Sequence, residues 1–274
     1  MTNEVRVISY IIGSDSDYYN LHHFTTFSVP TADTLFLLIL SILALESAHS
    51  IRFLYQHFLS GITEKSLNVF YYACSYAKVD HSRFMNTTVR IVLKLIPDSL
   101  QTQPVFLCVD DTMVSKFGTK FENVSKLFDH AAHNGSNYLN GHCFVSVMLC
   151  VPVWNGDKVS YLSVPLGYRM WQKKESKLEL AASMIRQVMP EFHSKGHVII
   201  LCDSWYTSAK VMDCFAKKGF YTIGALKTNR ILYPCGIRQK ASAFALHLRK
   251  TDPNISLVTV DKRQFYVYRY EGNL

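Results

Sequence analysis

Two short runs of consecutive apolar residues each lead directly into an aspartate. The first run, residues 105–109, precedes Asp110 and Asp111, and the second, residues 198–202, precedes Asp203. A run without polar alternation is typical of a strand buried on both faces, as in the parallel part of a mixed sheet. If the two strands are neighbours, the carboxylates at their ends lie close together. An aspartate after a strand also caps many helices, so the pattern alone leaves both interpretations open.

The first part of the chain has a helical pattern of apolar residues. Gly61 and Pro97 are typical of residues that follow a helix, and Asp80 is a suitable N-cap. We therefore predict a helical N-terminal region over residues 1–100. Its predicted helices cover residues 31–60, 63–77 and 80–96.

Beyond residue 104, short apolar runs of strand length alternate with amphipathic segments. Residues 112–142 form a long polar stretch, and Asn155-Gly156-Asp157 is a turn sequence between two apolar runs. Pro190 ends one of the helical segments. The predicted elements are strands 105–109, 143–153 and 158–164, helix 175–189, strand 198–202, helix 207–218, strand 220–225, and a hairpin of strands 255–260 and 264–270.

This succession of three strands, helix, strand, helix and strand is the order of the ribonuclease-H-like fold. In that fold the first and fourth strands lie adjacent and parallel, which brings Asp111 and Asp203 to one end of the sheet. Paired carboxylates at such a position are a common means of holding divalent metal ions for phosphoryl transfer. We therefore predict an α/β chain, in which a helical N-terminal region is followed by an incomplete ribonuclease-H-like mixed sheet flanked by helices.

The composition favours a polyanionic partner and a reducing compartment. The 274 residues include 29 Lys and Arg against 21 Asp and Glu, which gives a net charge of +8. That surplus favours a polyanion such as nucleic acid, although it would also serve solubility alone. The seven cysteines are odd in number and include no Cys-x-x-Cys pair, which favours a reducing, cytoplasmic setting.

Neither export nor membrane insertion is predicted. Residues 1–17 contain acidic residues and no long apolar run, so they do not resemble a signal peptide. The most hydrophobic segment, residues 35–45, is much shorter than the roughly 20 apolar residues that span a bilayer. A buried helix is the better interpretation of this segment, and we expect no membrane partner.

Five short motifs follow the helical region in a characteristic order. They are VDDT at 109–112 with KFG at 116–118, YLNGHC at 138–143, PLGYRMW at 165–171, CDSWY at 202–206 and ALKTNR at 225–230. With these motifs the chain resembles the bacterial insertion-sequence transposases of the DDE superfamily, in the branch with a β-rich insertion inside the catalytic core. The resemblance begins near residue 50 and runs to the end of the chain.

The resemblance implies a nuclease and strand transferase that cuts transposon ends and joins them to target DNA. It assigns residues 1–100 to a region that could bind DNA ends. Residues 101–274 would form the ribonuclease-H-like catalytic core, with the start of the β-rich insertion at about 226–274. The implied partners are double-stranded DNA, as transposon ends and as target, and a second copy of the chain on that DNA. In a bacterial cell, the protein would then work in the cytoplasm, at the nucleoid.

The family's catalytic and metal-binding aspartates fall on Asp111 and Asp203, with Mg²⁺ or Mn²⁺ as the implied cofactor. Strand alternation does not choose between Asp110 and Asp111, since they point to opposite faces, but the family pattern favours Asp111. Carboxylate oxygens are hard ligands, which suit Mg²⁺ better than thiols or imidazoles do.

A third carboxylate of the family, a helical Glu in the pattern Tyr-x2-Arg-x3-Glu-x6-Lys, has no counterpart here. Tyr266 and Arg269 have the first spacing, but Asn273 then occupies the Glu position. Glu271 lies in a phrase that is typical of a strand entering a turn. We therefore expect an inactive N-terminal fragment of a longer transposase, truncated before the catalytic Glu. The alternative is a non-catalytic remnant that binds DNA or dimerises.

Basic residues near the predicted strand ends are candidates for DNA contact. An aromatic among cations, such as Trp171, is a pattern that stacks an unpaired base, although a core Trp beside solvated lysines has the same sequence. The other cations could meet phosphates or form an ordinary solvated face. The candidates are Lys116, Lys120, Arg169, Trp171, Lys173, Lys174, Lys227 and Arg230. His130, His133 and His142 favour a polar loop over a zinc site, because a fourth ligand is missing.

Overall fold

The computed structural model describes residues 28–45, 50–78, 80–118, 120–128, 137–192, 198–216, 219–260 and 262–270. These residues belong to two compact units, one that ends at Leu95 and one that begins at Ile96. No helix in the described ranges is both long enough and apolar enough to cross a membrane.

The first unit is helical, as its apolar periodicity predicts. Its core consists of Leu38, Leu54, Leu59 and Phe70, which come from separate segments and pack in one buried cluster. Short helices are marginal on their own, so this shared burial is what stabilises them. The helices are α1 (Val29–Ala44), α2 (Ile51–His57), α3 (Leu67–Tyr76) and α4 (His81–Lys94), with a 3₁₀ turn at Leu59–Gly61.

Side-chain caps fix two helix starts in this unit. The Asp80 carboxylate accepts a hydrogen bond from the backbone amide of Arg83 at 2.9 Å, which confirms the predicted N-cap of α4. The Ser50 hydroxyl accepts one from the amide of Phe53 at 3.1 Å and begins α2. The prediction of one continuous helix over 31–60 is therefore wrong, because this serine caps a new helix within that span.

The second unit is built on a six-stranded mixed sheet. Its strands are β1 (Val105–Ser115), β2 (Ser125–Phe128), β3 (Tyr138–Asn155), β4 (Lys158–Met170), β5 (Val198–Cys202) and β6 (Tyr221–Gly224). Helix α5 (Lys177–Val188) connects β4 to β5, and α6 (Ala209–Ala216) connects β5 to β6. The elements that follow are β7 (Ile231–Leu232), β8 (Gln239–Lys240), α7 (Ala241–His247), β9 (Ile255–Val260) and β10 (Arg263–Tyr268).

The strand order confirms the ribonuclease-H-like prediction. β2 and β4 pair with one edge of β3, and β1, β5 and β6 follow in that order on its other side. β1 is antiparallel to β3 and parallel to β5, and β5 is parallel to β6. The two predicted Asp-terminated strands, β1 and β5, are therefore neighbours. β9 and β10 form the predicted C-terminal hairpin.

β1 is longer than its apolar run predicts. It continues past Asp111 because β3 pairs with it as far as Ser115, which lies opposite Gly141. The long partner satisfies the backbone of this polar segment, so pairing overrides local sequence preference. A Cβ atom on Gly141 would lie 2.3 Å from the carbonyl oxygen of Val114, so this close approach of β3 to β1 requires glycine.

β4 also extends beyond its prediction, to Met170 in place of residue 164. Pro165 is tolerated because β4 is an edge strand, whose outer amides have no partner strand to lose. The register between β3 and β4 shifts between Val147 and Met148, as at a β-bulge. The predicted polar stretch 112–142 thus contains the end of β1, all of β2 and the start of β3.

Candidate active site

Asp111 lies on β1 just beyond the point where β5 stops pairing with it. The β1–β5 register ends with Val109 opposite Cys202, whereas the β1–β3 register continues and places Asp111 opposite Val145. Side chains alternate along a strand, so Asp111 continues the buried row that contains Leu107 and Val109. Its carboxylate ends this row and is 17% exposed.

Asp203 is the first residue after β5. Its Oδ1 accepts hydrogen bonds from the backbone amides of Trp205 at 2.9 Å and Tyr206 at 3.3 Å. The aspartate therefore caps the turn that follows it, as the simpler interpretation of the sequence holds. Capping and a role at a site are compatible here, because the turn fixes the direction of a carboxylate that remains exposed.

Tyr206, three residues after Asp203, has a buried hydroxyl. Tyr206 has no exposed surface, and its hydroxyl oxygen has no hydrogen-bond partner among the described residues. Burial raises the pKa of the phenol strongly, and the negative charges of Asp111, Asp110 and Asp203 raise it further. The charges of both predicted aspartates thus act on the same buried phenol.

Asp110 differs from Asp111 in its surroundings. Its side chain is exposed, and its Oδ1 accepts a hydrogen bond from the amide of Asp111 at 2.8 Å. Asp111 instead points to the face that α5 covers, since Lys177 on that helix forms an ion pair with it.

The Asp111 carboxylate is held by two side chains that sequence reasoning did not select. Lys177 Nζ and the Cys143 thiol both donate to Asp111 Oδ2, the thiol at 3.1 Å. The Lys177 side chain is 19% exposed, so this is a largely desolvated ion pair. One sequence signal was available: a lysine in the first turn of a helix opposes the helix dipole and needs a nearby anion.

Burial and the ion pair together shift the acidities at this point. Burial alone would lower the pKa of the Lys177 ammonium, but its hydrogen bonds to Asp111 and Cys143 and the charge of Asp111 outweigh burial and raise it. Burial, together with the hydrogen bond to Asp111, raises the pKa of the Cys143 thiol to about 11. Both groups therefore keep their protons at neutral pH, as donors to the carboxylate.

The loops that follow β5 and β6 are tied together beside Asp203. The Thr207 hydroxyl lies 3.0 Å from the carbonyl oxygen of Ser204 and 2.7 Å from that of Ala225. A Cβ atom on Gly224 would lie 2.4 Å from the Thr207 methyl group, so the two loops meet only because residue 224 is glycine. Arg230 Nη2 donates to the carbonyl oxygen of Thr207.

The candidate DNA-contact residues have three kinds of surroundings. Arg169 is held by α5, with Nη1 3.1 Å from the Ser183 hydroxyl and Nη2 2.6 Å from the Gln187 amide oxygen. Lys227 lies over the half-exposed ring of Trp205, 4.6 Å from its centroid. Lys120, Lys173 and Lys174 are exposed, and Lys116 Nζ lies 5.6 Å from the Phe121 ring centroid.

Trp171 is engaged within the protein. Its indole nitrogen donates to the carbonyl oxygen of Glu175 at 2.7 Å, and Lys177 Nζ lies 5.6 Å from its ring centroid. Trp171 and Arg169 therefore support α5 and its lysine in this structure, and base stacking by Trp171 stays a prediction.

The remaining candidate ligands do not add a third group. His142 Nε2 lies 2.8 Å from the carbonyl oxygen of Glu122, whereas His130, His133, Glu271 and Asn273 lie outside the described residues. Within the described ranges, no three His, Cys, Asp or Glu side chains are arranged to hold a metal ion. The candidate ligands for a hard divalent cation in the described ranges are therefore two carboxylates, those of Asp111 and Asp203.

The chemistry of these donors fits a divalent metal such as Mg²⁺ in part. Carboxylate oxygens are suitable ligands, and Asp111 already attracts one cation, the Lys177 ammonium. Asp111 and Asp203 are the residues that would hold the ion, with the remaining positions of its shell filled by water or by a ligand from elsewhere.

Comparison with known proteins places the fold in context. A family model described as DDE superfamily endonuclease matches residues 72–243. Three solved structures are similar at low identity. The piggyBac transposase synaptic complex with hairpin DNA has a TM-score of 0.40 and 11% identity, over 84% of this chain and 47% of that one. The Drosophila P element transposase strand transfer complex has a TM-score of 0.35 and 10% identity, over 92% and 57%.

The Mos1 transposase paired-end complex with left transposon end has a TM-score of 0.22 and 12% identity, over 70% of this chain and 57% of that one. The chain thus spans about half of the length of the solved structures it matches. No curated protein sequence matches it significantly.

Replacing Tyr206 by Phe tests whether the hydroxyl is unsatisfied. Removing a buried polar group that lacks a partner should raise the free energy of unfolding, by about 1–3 kcal/mol. Urea unfolding of Tyr206→Phe measures this change, with Tyr168→Phe as the matched control because that side chain is exposed and should be near neutral. A clear loss of stability in Tyr206→Phe would mean that the hydroxyl has a partner in solution.

Proposed function

The chain belongs to the DDE superfamily endonucleases, and on that premise we propose that it is a metal-dependent DNA transposase that acts at insertion-sequence ends. The observation that carries the proposal is that Asp111 lies on β1 and Asp203 directly follows the neighbouring parallel strand β5. Asp111 comes two residues after Val109, the last β1 residue that pairs with β5, and Asp203 directly follows that residue's partner, Cys202. The net charge of +8 supports a polyanionic substrate.

In the proposed reaction, Asp111 and Asp203 hold Mg²⁺ or Mn²⁺. The bound metal would supply activation of the attacking oxygen and stabilisation of the leaving oxygen. The turn after β5 orients Asp203, because the amides of Trp205 and Tyr206 fix one of its oxygens.

The basic side chains near this end of the sheet are proposed to meet DNA phosphates. Lys116, Lys120, Lys173 and Lys174 offer flexible cations, of which the last three are exposed. Lys227 with the half-exposed ring of Trp205 offers a cation beside an aromatic surface next to Asp203. We propose that the DNA is bound as transposon ends and target, with two copies of the chain on one DNA assembly.

A second candidate function is DNA binding without cleavage. The described residues supply two carboxylates and no third one in reach of a shared ion. The Lys177 ammonium also neutralises the negative charge of one of them, Asp111. We propose that the 274-residue chain binds DNA beside the bacterial nucleoid but leaves it uncut, and that cleavage requires a further carboxylate, such as a helical Glu, brought to the site.

The two aspartates should carry metal binding. Asp111→Asn and Asp203→Asn should each weaken Mn²⁺ binding by at least the roughly 10–100-fold that loss of a supporting partner costs, because each removes a charged ligand. Isothermal titration calorimetry measures the affinity, and circular dichroism checks folding. Asp157→Asn, in the turn between β3 and β4, is the control and should bind as the wild type does. Equal affinity in all four proteins would exclude the site.

DNA binding should depend strongly on salt, because neutralised phosphates release counterions. Lys174→Ala should lower the slope of log K against log salt concentration by about 0.9 if this lysine contacts one phosphate. Fluorescence anisotropy of a labelled duplex gives the slope. Lys158→Ala, an equally exposed lysine at the β3–β4 turn, should leave it unchanged. The same change in both variants would argue against a localised DNA surface.

Cleavage separates the two candidate functions. The 274-residue chain with Mg²⁺ should not nick a duplex that carries transposon ends, whereas a chain extended by a segment with the family's helical Glu should nick it. A gel assay of strand breaks measures both. If the 274-residue chain nicks DNA and Asp203→Ala stops it, two carboxylates suffice or Asp110 or Glu271 completes the set.

A further inference from the structure

The ion pair between Lys177 and Asp111 stands at the centre of the proposed metal site. We infer that the Lys177 ammonium is a resident counterion of Asp111, which a divalent metal ion must displace, so that Lys177 sets the metal affinity of the site. This inference rests on the proposed function, because it takes Asp111 as a metal ligand.

The Lys177 ammonium and a metal ion would compete for the same carboxylate oxygen of Asp111. Lys177 Nζ and Cys143 Sγ both donate to Oδ2 of Asp111, the oxygen on which the ion pair is centred. Mg²⁺ requires an oxygen at about 2.0–2.1 Å in near-ideal octahedral geometry. An ammonium already within hydrogen-bond distance of that oxygen occupies the approach and repels a second cation.

The charge balance points the same way. Asp111 and Lys177 are each less than one-fifth exposed, so solvent screens their attraction only weakly. In the metal-free protein, the ammonium is the counterion of a carboxylate that is only 17% exposed. Binding a divalent ion therefore requires that this interaction be broken, and its loss is subtracted from the binding free energy of the metal.

Lys177 also contacts an aromatic ring while it is paired with Asp111. The Trp171 ring lies 5.6 Å from Lys177 Nζ, within the range of a cation–π contact. This ring is held in position by the hydrogen bond from its indole nitrogen to the Glu175 carbonyl oxygen. The Trp171 ring is thus a contact of the Lys177 ammonium that does not depend on Asp111.

Calorimetric titration of the 274-residue chain with Mn²⁺ tests the inference. Lys177→Met should bind Mn²⁺ about tenfold more tightly than the wild type, because the competing cation is gone. Lys177→Gln, which keeps a hydrogen-bond donor without the charge, should bind more tightly as well and covers the case in which Lys177→Met does not fold. Lys177→Arg keeps the cation and should stay within about twofold of the wild type, as should Lys158→Met at the β3–β4 turn.

The outcomes separate this inference from the proposed function. Tighter binding in both neutral variants, with wild-type affinity in Lys177→Arg, supports the inference. Equal or weaker binding in the neutral variants, while wild type binds and Asp111→Asn does not, overturns the inference and leaves the metal site standing. No saturable binding in any variant refutes the metal site and the inference with it. The rise in melting temperature on adding Mn²⁺ should follow the same order and provides a second readout.

Discussion

The antiparallel pairing of β1 with β3 is the constraint on which the site depends. β5 pairs with β1 only as far as Val109, and without a longer partner the polar residues beyond it would leave their backbone groups unpaired. β3 supplies that partner as far as Ser115, with Gly141 where the two backbones come closest. Asp111 is therefore held on a rigid strand while the position beside it, beyond the end of β5, is not filled by another strand. A carboxylate so placed is fixed in position by the strand.

Much of this architecture could be predicted from the sequence. Consecutive apolar residues identified β5 with its observed bounds, and the order of elements identified the parallel neighbours β1 and β5. The extension of β1 could not be read in the same way, because its residues 110–115 are mostly polar and become a strand only through pairing with β3. At Ser50 a local side chain decides the structure instead. Its hydroxyl caps a new helix within a segment whose apolar pattern is continuous. Apolar periodicity predicts burial well, whereas strand and helix ends depend on a partner or a single side chain.

The candidate site shows a similar division. Asp111 and Asp203 were accessible to sequence reasoning because each follows an apolar run and lies in a recognisable motif. Lys177 and Cys143 were not selected, since their importance lies in hydrogen bonds to Asp111 that are made across 66 and 32 residues of chain. Arg169 and Trp171 have the sequence character of DNA contacts, yet in the fold they hold α5 and surround its lysine. Composition indicates which side chains are cationic, and only the topology indicates what they face.

Hydrogen bonds between the loops after β5 and β6 connect residues beyond the sheet to the segment that contains Asp203. Thr207 and Arg230 join the two loops, and the same short segment, residues 203–207, contains the turn that aims the Asp203 carboxylate. Ala225 and Arg230 follow the sheet in the chain, yet both are hydrogen-bonded to Thr207, four residues after Asp203. A displacement of Ala225 or Arg230 would therefore reach the segment that contains Asp203 through these two hydrogen bonds. β6 is thus an edge strand of the sheet, and the residue after it also holds the segment that contains Asp203.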